Sequence, residues 1–396
     1  AFELANTADL DTWKAYLAAH MLSNFAAVLP SDIDEADFDF YGTTLSGQPE
    51  QRPRWKRAVS AVSDALGEAI GEVYVERYFP PENKQRMDEL VANLRTAMHA
   101  NLEDLSWMSE DTREQAREKL DMFNPKIGYP DEFESYDTLE VTDSAFTNAV
   151  NVARWSLQDN LDRLNEDPDR NEWFMTPQTV NAYYNPGYNE IVFPAGILQP
   201  PFFNVEADPA VNYGAIGGVI GHEMGHGFDD QGSKYNGEGV LANWWTDEDR
   251  EAFDALTSAL VEQYNQYCPL AEGEPCVNGR LTLGENIGDL GGLSLAYRAY
   301  QISLDENGDG VVSAEEEAPV IDGFTGDQRF FMAWAQVWRA KYRDEAKRNQ
   351  LLTDPHSPSE YRANGIVRNF DEWYEAFNVS EDDELYLPPE ERIRIW

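Results

Sequence analysis

Gly221-His222-Glu223-Met224-Gly225-His226 decides how this chain is read. Two histidines four residues apart lie on one face of a helix, so both imidazoles can reach one metal ion. Glu223 points toward the same cleft without having to be a ligand. Zinc suits such a place: nitrogen ligands, three protein groups and an open position for water. Water held there has a pKa near 7, and a neighbouring carboxylate can take its proton. That is the equipment for attack on an amide carbonyl. Buried histidines on an ordinary helix give the same five-residue pattern. The chain, however, has only five histidines, and two of them sit here.

A third ligand can come from another element. Glu285-Asn286-Ile287-Gly288-Asp289 offers Glu285 and Asp289, an i,i+4 pair on a helix that continues through Leu293, Leu295 and Ala296. One carboxylate can bind the metal while the other accepts the N–H of a ligand histidine. The spacing leaves open which does which. Asp229 and Asp230, just past His226, can orient that histidine or cap the helix end. Gly214, Gly217, Gly218 and Gly221 each cost a helix roughly 1 kcal/mol relative to Ala. That cost makes sense where another element packs tightly on their face, and Gly291-Gly292 carry the same message.

These residues carry a resemblance to the neprilysin family of zinc metallopeptidases. Val180-Asn181-Ala182-Tyr183-Tyr184 resembles the family's substrate-aligning strand. Ile191 to Phe203, reading IVFPAGILQPPFF, resembles a long family signature. Gly221 to Asp230, Leu283 to Asp289, Asp354-Pro355-His356-Ser357-Pro358 with Arg362, and the terminal Arg392-Ile393-Arg394-Ile395-Trp396 follow in the family's order. The family's end commonly carries a cysteine that this chain lacks. The resemblance implies a mainly α protein with a small β-sheet (α+β), a thermolysin-like zinc lobe and a helical lobe. It implies a zinc-dependent endopeptidase or oligopeptidase acting on peptides. His222, His226 and Glu285 would bind Zn2+, and Glu223 would be the general base. Asp289 and Asp229 would orient the histidines, and His356 would donate to the oxyanion. Arg362 would hold a substrate carbonyl, and Asn181 and Ala182 would bind an extended peptide as an added strand. A catalytically inactive, peptide-binding relative is the competing expectation.

At 396 residues one core usually splits, so two lobes are expected. We divide them into a helical support segment, 1–125, and a catalytic lobe, 126–396. The net charge of −43, from 73 acidic and 30 basic residues, argues against nucleic acid and anionic membranes as partners. No apolar run approaches the roughly 20 residues of a membrane span. The chain starts at Ala1 without a signal peptide, which points to a processed or trimmed product. The family's usual setting implies an extracytoplasmic location and a disulfide between Cys268 and Cys276, the only two cysteines.

Helices are expected over Trp13–Leu29, Trp55–Tyr78, Met87–Leu105, Glu110–Met122 after a Ser109 cap, and Ala145–Asn165. Asp32–Tyr41 reads as an acidic loop. Val180–Tyr184 and Glu190–Phe193 flank Asn185-Pro186-Gly187 as a hairpin. Asp305 to Glu316, DENGDGVVSAEE, fits a twelve-residue Ca2+ loop outside the family signature. Asp305, Asn307 and Asp309 take positions 1, 3 and 5, Val311 offers its carbonyl, and Glu316 takes position 12. Pro319 truncates an exiting helix, so a static brace is expected rather than a sensor. A calcium-binding module alone would leave the histidines and Glu223 unexplained. The resemblance begins partway into the family's fold. We therefore expect a separate N-terminal chain of the same precursor, bound as a heterodimer over apolar stripes such as that of Pro81 to Leu105.

Overall fold

A computed structural model describes residues 2–270, 275–305 and 307–396. Helices α1 (Phe2–Thr7), α2 (Leu10–Phe25), α3 (Ser31–Phe38), α4 (Arg54–Ala65), α5 (Gly67–Tyr78), α6 (Pro81–Asp104) and α7 (Glu110–Asp121) precede strand β1 (Asn124–Gly128). Helix α8 (Ala145–Asp162) is followed by β2 (Tyr183–Asn185) and β3 (Glu190–Pro194). Then come α9 (Pro209–Asn212), α10 (Gly218–His226), α11 (Asp247–Tyr264), α12 (Leu283–Leu304), α13 (Gly326–Val337), α14 (Asp344–Thr353), α15 (Ser359–Val367) and α16 (Asp371–Phe377). The class is mainly α with one small sheet, as expected.

The chain forms two compact units. One comprises Ala1–Ile70, Phe133–Asp169 and Arg343–Asn349; the other comprises Gly71–Glu132, Arg170–Tyr342 and Gln350–Trp396. This division differs from the expected boundary at 125. Residues 71–132 fall with the second unit because α6 packs on α12 and β1 pairs with β3.

Polar contacts and ring contacts such as Phe25–Phe146 join the first unit. Arg57 Nη1 reaches both oxygens of Asp34, at 3.0 and 2.8 Å, and Ser23 donates to Asp37 at 2.6 Å. Helices α2 and α4 bury no residue, and Leu17, Met21, Trp55 and Val59 stand exposed. Two expectations are corrected. The acidic loop at 32–41 is mostly α3, whose Asp32 and Asp34 sit in the first turn, where the helix dipole favours negative charge. The single helix over 55–78 is broken at Leu66, which takes φ −130° and ψ 42° ahead of Gly67.

The second unit holds a three-stranded sheet in the order β1-β3-β2. β2 and β3 form the expected hairpin, antiparallel, with Tyr183 opposite Val192. β1 was not foreseen. It runs parallel to β3 from Asn124↔Glu190 to Gly128↔Pro194 and tolerates Pro125 because it is an edge strand. Met87, Leu90, Val91, Leu94, Met98 and Leu102 of α6 are buried in the main core. The expectation that this stripe lies open is therefore wrong. Its covers are α12 and the segment 213–217, elements of the same unit.

Helices α10 and α12 cross with almost no side chain between them. A Cβ on Gly221 would strike the Gly292 carbonyl oxygen and come within 2.8 Å of its Cα. A Cβ on Gly292 would strike the amide nitrogen of His222. Neither neighbour can yield, since both are backbone. Gly221→Ala should therefore cost about 1–3 kcal/mol by overpacking, read as a lower melting temperature. Gly217→Ala, whose added Cβ meets nothing nearer than 3.5 Å, should melt close to the parent. Equal melting of the two variants would contradict the close crossing.

Candidate metal centre

Helix α10 presents His222, Glu223 and His226; the first two are buried and the third nearly so. The imidazoles stand 4.5 Å apart, centroid to centroid, at 83°. Across the glycine crossing, α12 presents Glu285 and Asp289. Gly288 lies between them because a Cβ there would come within 2.8 Å of the His222 ring. The loop before α15 adds His356. Glu285 Oε2 lies 3.2 Å from His222 Nε2, 3.7 Å from His226 Nε2 and 3.1 Å from His356 Nε2. Donor atoms of His222, His226 and Glu285 all fall within 4.8 Å of one another, and among the described residues this is the metal-donor cluster.

The fit to a metal is tested by one atom. Glu285 Oε2 is buried yet has no hydrogen-bond partner. The flanking nitrogens approach it without hydrogen-bond alignment, so they and the oxygen converge on the space between them. A buried carboxylate oxygen left without a partner is costly. A cation with two imidazoles and a carboxylate satisfies it, and that donor set suits zinc.

Each ring is held from behind. His222 Nδ1 lies 2.8 Å from Asp289 Oδ1, and His226 Nδ1 lies 2.7 Å from Asp229 Oδ2. Donation from Nδ1 leaves Nε2 as the free lone pair facing the centre. Asp289 receives Nε and Nη2 of Arg362, both at 2.7 Å, and that guanidinium lies 3.8 Å over the Trp338 ring. Asp229 Oδ1 accepts the amides of Gln231 (2.8 Å) and Gly232 (2.7 Å). Asp230 takes no part: its Oδ2 accepts from Gln231, and Oδ1 is unpaired. Asp354 Oδ1 lies 2.8 Å from His356 Nδ1.

Electrostatics follow burial. Burial pushes the Glu223 carboxyl above the usual carboxylate range, with His222 and His226 pulling the other way. Burial also raises Glu285, but His222 and His356 outweigh it and hold this carboxyl well below that range. For His222, burial opposes the charge while Asp289 and Glu285 win, pushing the imidazole up to about 10. A proton thus competes with a metal for these nitrogens, and metal affinity must fall as pH falls.

The remaining predicted residues lie elsewhere. Asn181 is exposed and Ala182 buried, just ahead of β2, whose outer edge is unpaired in the sheet. Helix α10 packs on β2. In the 305–316 loop, Asp305 accepts from the amides of Gly308, Asp309 and Gly310, and Asn307 from that of Asp309. Asp309 accepts from Val311 N, and Glu316 from the amides of Asn307 and Ser313. Val311 is exposed, Gly308 and Gly310 take positive φ, and Glu306 lies outside the described residues. Cys268 and Cys276 form a disulfide; residues 271–274 of the loop it closes lie outside the described residues.

Asp354 belongs to the motif that carries His356, but the sequence assigned it no role, and Lys119 was not singled out at all. The signal for Lys119 lies in its spacing: with Thr112, Ala116 and Leu120 it completes a buried i, i+4, i+7, i+8 face on α7.

Comparison with known proteins agrees with this geometry. Family models described as peptidase family M13 match residues 1–130 and 181–393. Endothelin-converting enzyme 1 of Bos taurus is 39% identical over 401 residues, covering 99% of this chain and 52% of that protein. Neprilysin of Homo sapiens is 39% identical over 365 residues, covering 90% of this chain and 47% of that protein. Among solved structures, the Mycobacterium tuberculosis zinc metalloprotease Zmp1 in complex with inhibitor superposes with a TM-score of 0.93 at 50% identity, covering all of this chain and 59% of that one. PepO from Lactobacillus rhamnosis HN001 gives 0.86 at 34% identity, covering 97% and 58%. The chain spans about half the length of the curated relatives it matches. With the metal-donor cluster, the glycine crossing and these matches together, the chain belongs to peptidase family M13, the neprilysin family.

Proposed function

We propose that this chain carries the centre of a zinc metalloendopeptidase that hydrolyses peptide bonds. The observation that carries the reading is the convergence of His222, His226 and Glu285 on one point, with Glu285 Oε2 otherwise orphaned and Glu223 alongside. These three residues would hold zinc. Bound there, zinc supplies a Lewis acid that lowers the pKa of water toward 7. Glu223 takes the proton of the attacking water and passes it to the leaving amine; its burial, which raises its pKa, suits both halves of that task. His356, oriented by Asp354, donates to the carbonyl oxygen as negative charge develops. Asn181 and Ala182 align an extended peptide along the open edge of β2. Arg362 spends Nε and Nη2 on Asp289, and Nη1 is the donor left for a substrate carbonyl.

Three further readings belong here. The disulfide supports an extracytoplasmic setting. The exposed apolar residues of α2 and α4 support a further polypeptide over them, which we propose is the N-terminal partner chain. Ca2+ on Asp305, Asn307, Asp309, Glu316 and the Val311 carbonyl is supported by the spacing and by the positive φ of Gly310 at the turn.

Glu223→Gln should retain zinc, because Gln fills the same space, while peptide turnover falls about 10²–10⁴-fold. Glu285→Gln should weaken zinc binding itself. A Glu223→Gln variant that turned over peptides at the parent rate would sink the general-base assignment. Undiminished peptide binding by a parent protein that never cleaves would favour the inactive relative instead.

For calcium, the parent's melting temperature should rise on titration after chelation, because the ion binds the folded form. Asp309→Ala should abolish that increment with zinc content unchanged. A parent indifferent to calcium leaves the loop an ordinary turn. For the partner, native mass spectrometry of protein purified from its source should give a complex above 44.9 kDa that denaturant splits in two. A single covalent chain under denaturation removes the heterodimer.

A further inference from the structure

Lys119 is the least expected side chain in the second unit, a lysine 1% exposed on α7. Its ammonium donates to three backbone carbonyls of one short loop: Gly227 (2.6 Å), Gly232 (2.8 Å) and Tyr235 (2.7 Å). The rings of Tyr184, Phe228 and Trp244 surround it with centroids 5.6–5.9 Å away. Burying an ammonium costs several kcal/mol unless its donors are filled. Here three charge-assisted bonds fill all three. Burial draws its pKa down to about 7, with Asp229 opposing, yet three acceptors need three N–H groups, which only the charged form offers.

The three carbonyls belong to the loop that carries Asp229. Gly232 is shared: its carbonyl accepts from Lys119, and its amide donates to Asp229 Oδ1. The other oxygen of Asp229 meets His226 Nδ1. A Cβ on Gly232 would strike the His226 carbonyl oxygen, so the loop folds back directly onto the end of α10. Without the ammonium, the Gly232 carbonyl would keep only the Tyr235 amide and the Tyr235 carbonyl only Trp244 Nε1, and the one donor that ties both to the Gly227 carbonyl would be gone.

We propose that Lys119 is a positioning residue for the metal centre, gathering the 227–235 loop so that Asp229 fixes the His226 ring. The inference rests on the zinc reading above. It acts through Asp229 and touches neither metal nor substrate.

The test is zinc affinity, measured by chelator competition on folded protein. Lys119→Met, of similar length without donors, should bind zinc about 10–100-fold more weakly, the usual effect of losing a group behind a ligand. If that variant does not fold, Lys119→Gln, which keeps a donor for one carbonyl, carries the same comparison. In an Asp229→Ala background, the Lys119 substitution should change zinc affinity less than about threefold, because both act on one ring. Folded variants that melt lower but bind zinc within about twofold of the parent would make Lys119 merely structural and overturn the proposal. Fully additive losses would overturn it too. A parent protein that binds no zinc would instead defeat the metal reading.

Discussion

Everything at the centre depends on two helices touching backbone to backbone. Where α10 crosses α12, Gly221 and Gly292 leave no room for a methyl group, and Gly288 leaves room only for the His222 ring. The approach is what brings Glu285 within 3.2 Å of a histidine on another helix. Side chains of ordinary size would hold the axes roughly 8–10 Å apart, and a carboxylate from α12 would then fall short of the shared point. Glycine lowers helix stability, so the crossing trades local propensity for reach. The surrounding core supplies the compensation: Trp334, Leu293 and Phe330 are fully buried around the same helices.

Around that crossing, charge is arranged in layers. The donors face one another; behind them Asp289 and Asp229 hold the rings; behind those stand Arg362 and Lys119, both buried. Each of these two anions has a cation or backbone amides facing it. Removing Arg362 would leave Asp289 a buried charge without its cation, which costs more than the pair itself contributes. The chain's large negative charge lies outside this arrangement, mostly on solvated acidic residues such as those of α3 and the 305–316 loop.

What could be read in advance was what sequence neighbours decide. His222 and His226, or Glu285 and Asp289, share a helix face whatever the tertiary structure does, so spacing alone carried them. The glycines announced close packing without naming the partner. Ser109 announced the start of α7 by its capping chemistry. What failed depended on distant residues or on weighting. β1 is five residues with a proline, and only its partner β3 makes it a strand. The acidity of α3 looked like solvated loop, though Asp32 and Asp34 sit where a helix N-terminus wants them. The stripe of α6 was legible as apolar, but not that α12 covers it. His356 and Arg362 came from resemblance alone. Lys119 shares the buried face of α7 with Thr112, Ala116 and Leu120, but a lysine is ordinarily solvated, so its spacing alone did not mark it as buried.

The central claim is that two histidines of α10 and one carboxylate of α12 form a single zinc site. X-ray absorption at the zinc edge of protein loaded with one equivalent reads this directly. The account predicts low coordination by nitrogen and oxygen only, at about 2.0–2.2 Å, with multiple-scattering features of two imidazoles. Loss of one imidazole in His226→Ala should leave a single-imidazole signal. A spectrum with sulfur neighbours, or one unchanged by that substitution, would place the zinc elsewhere and contradict the account.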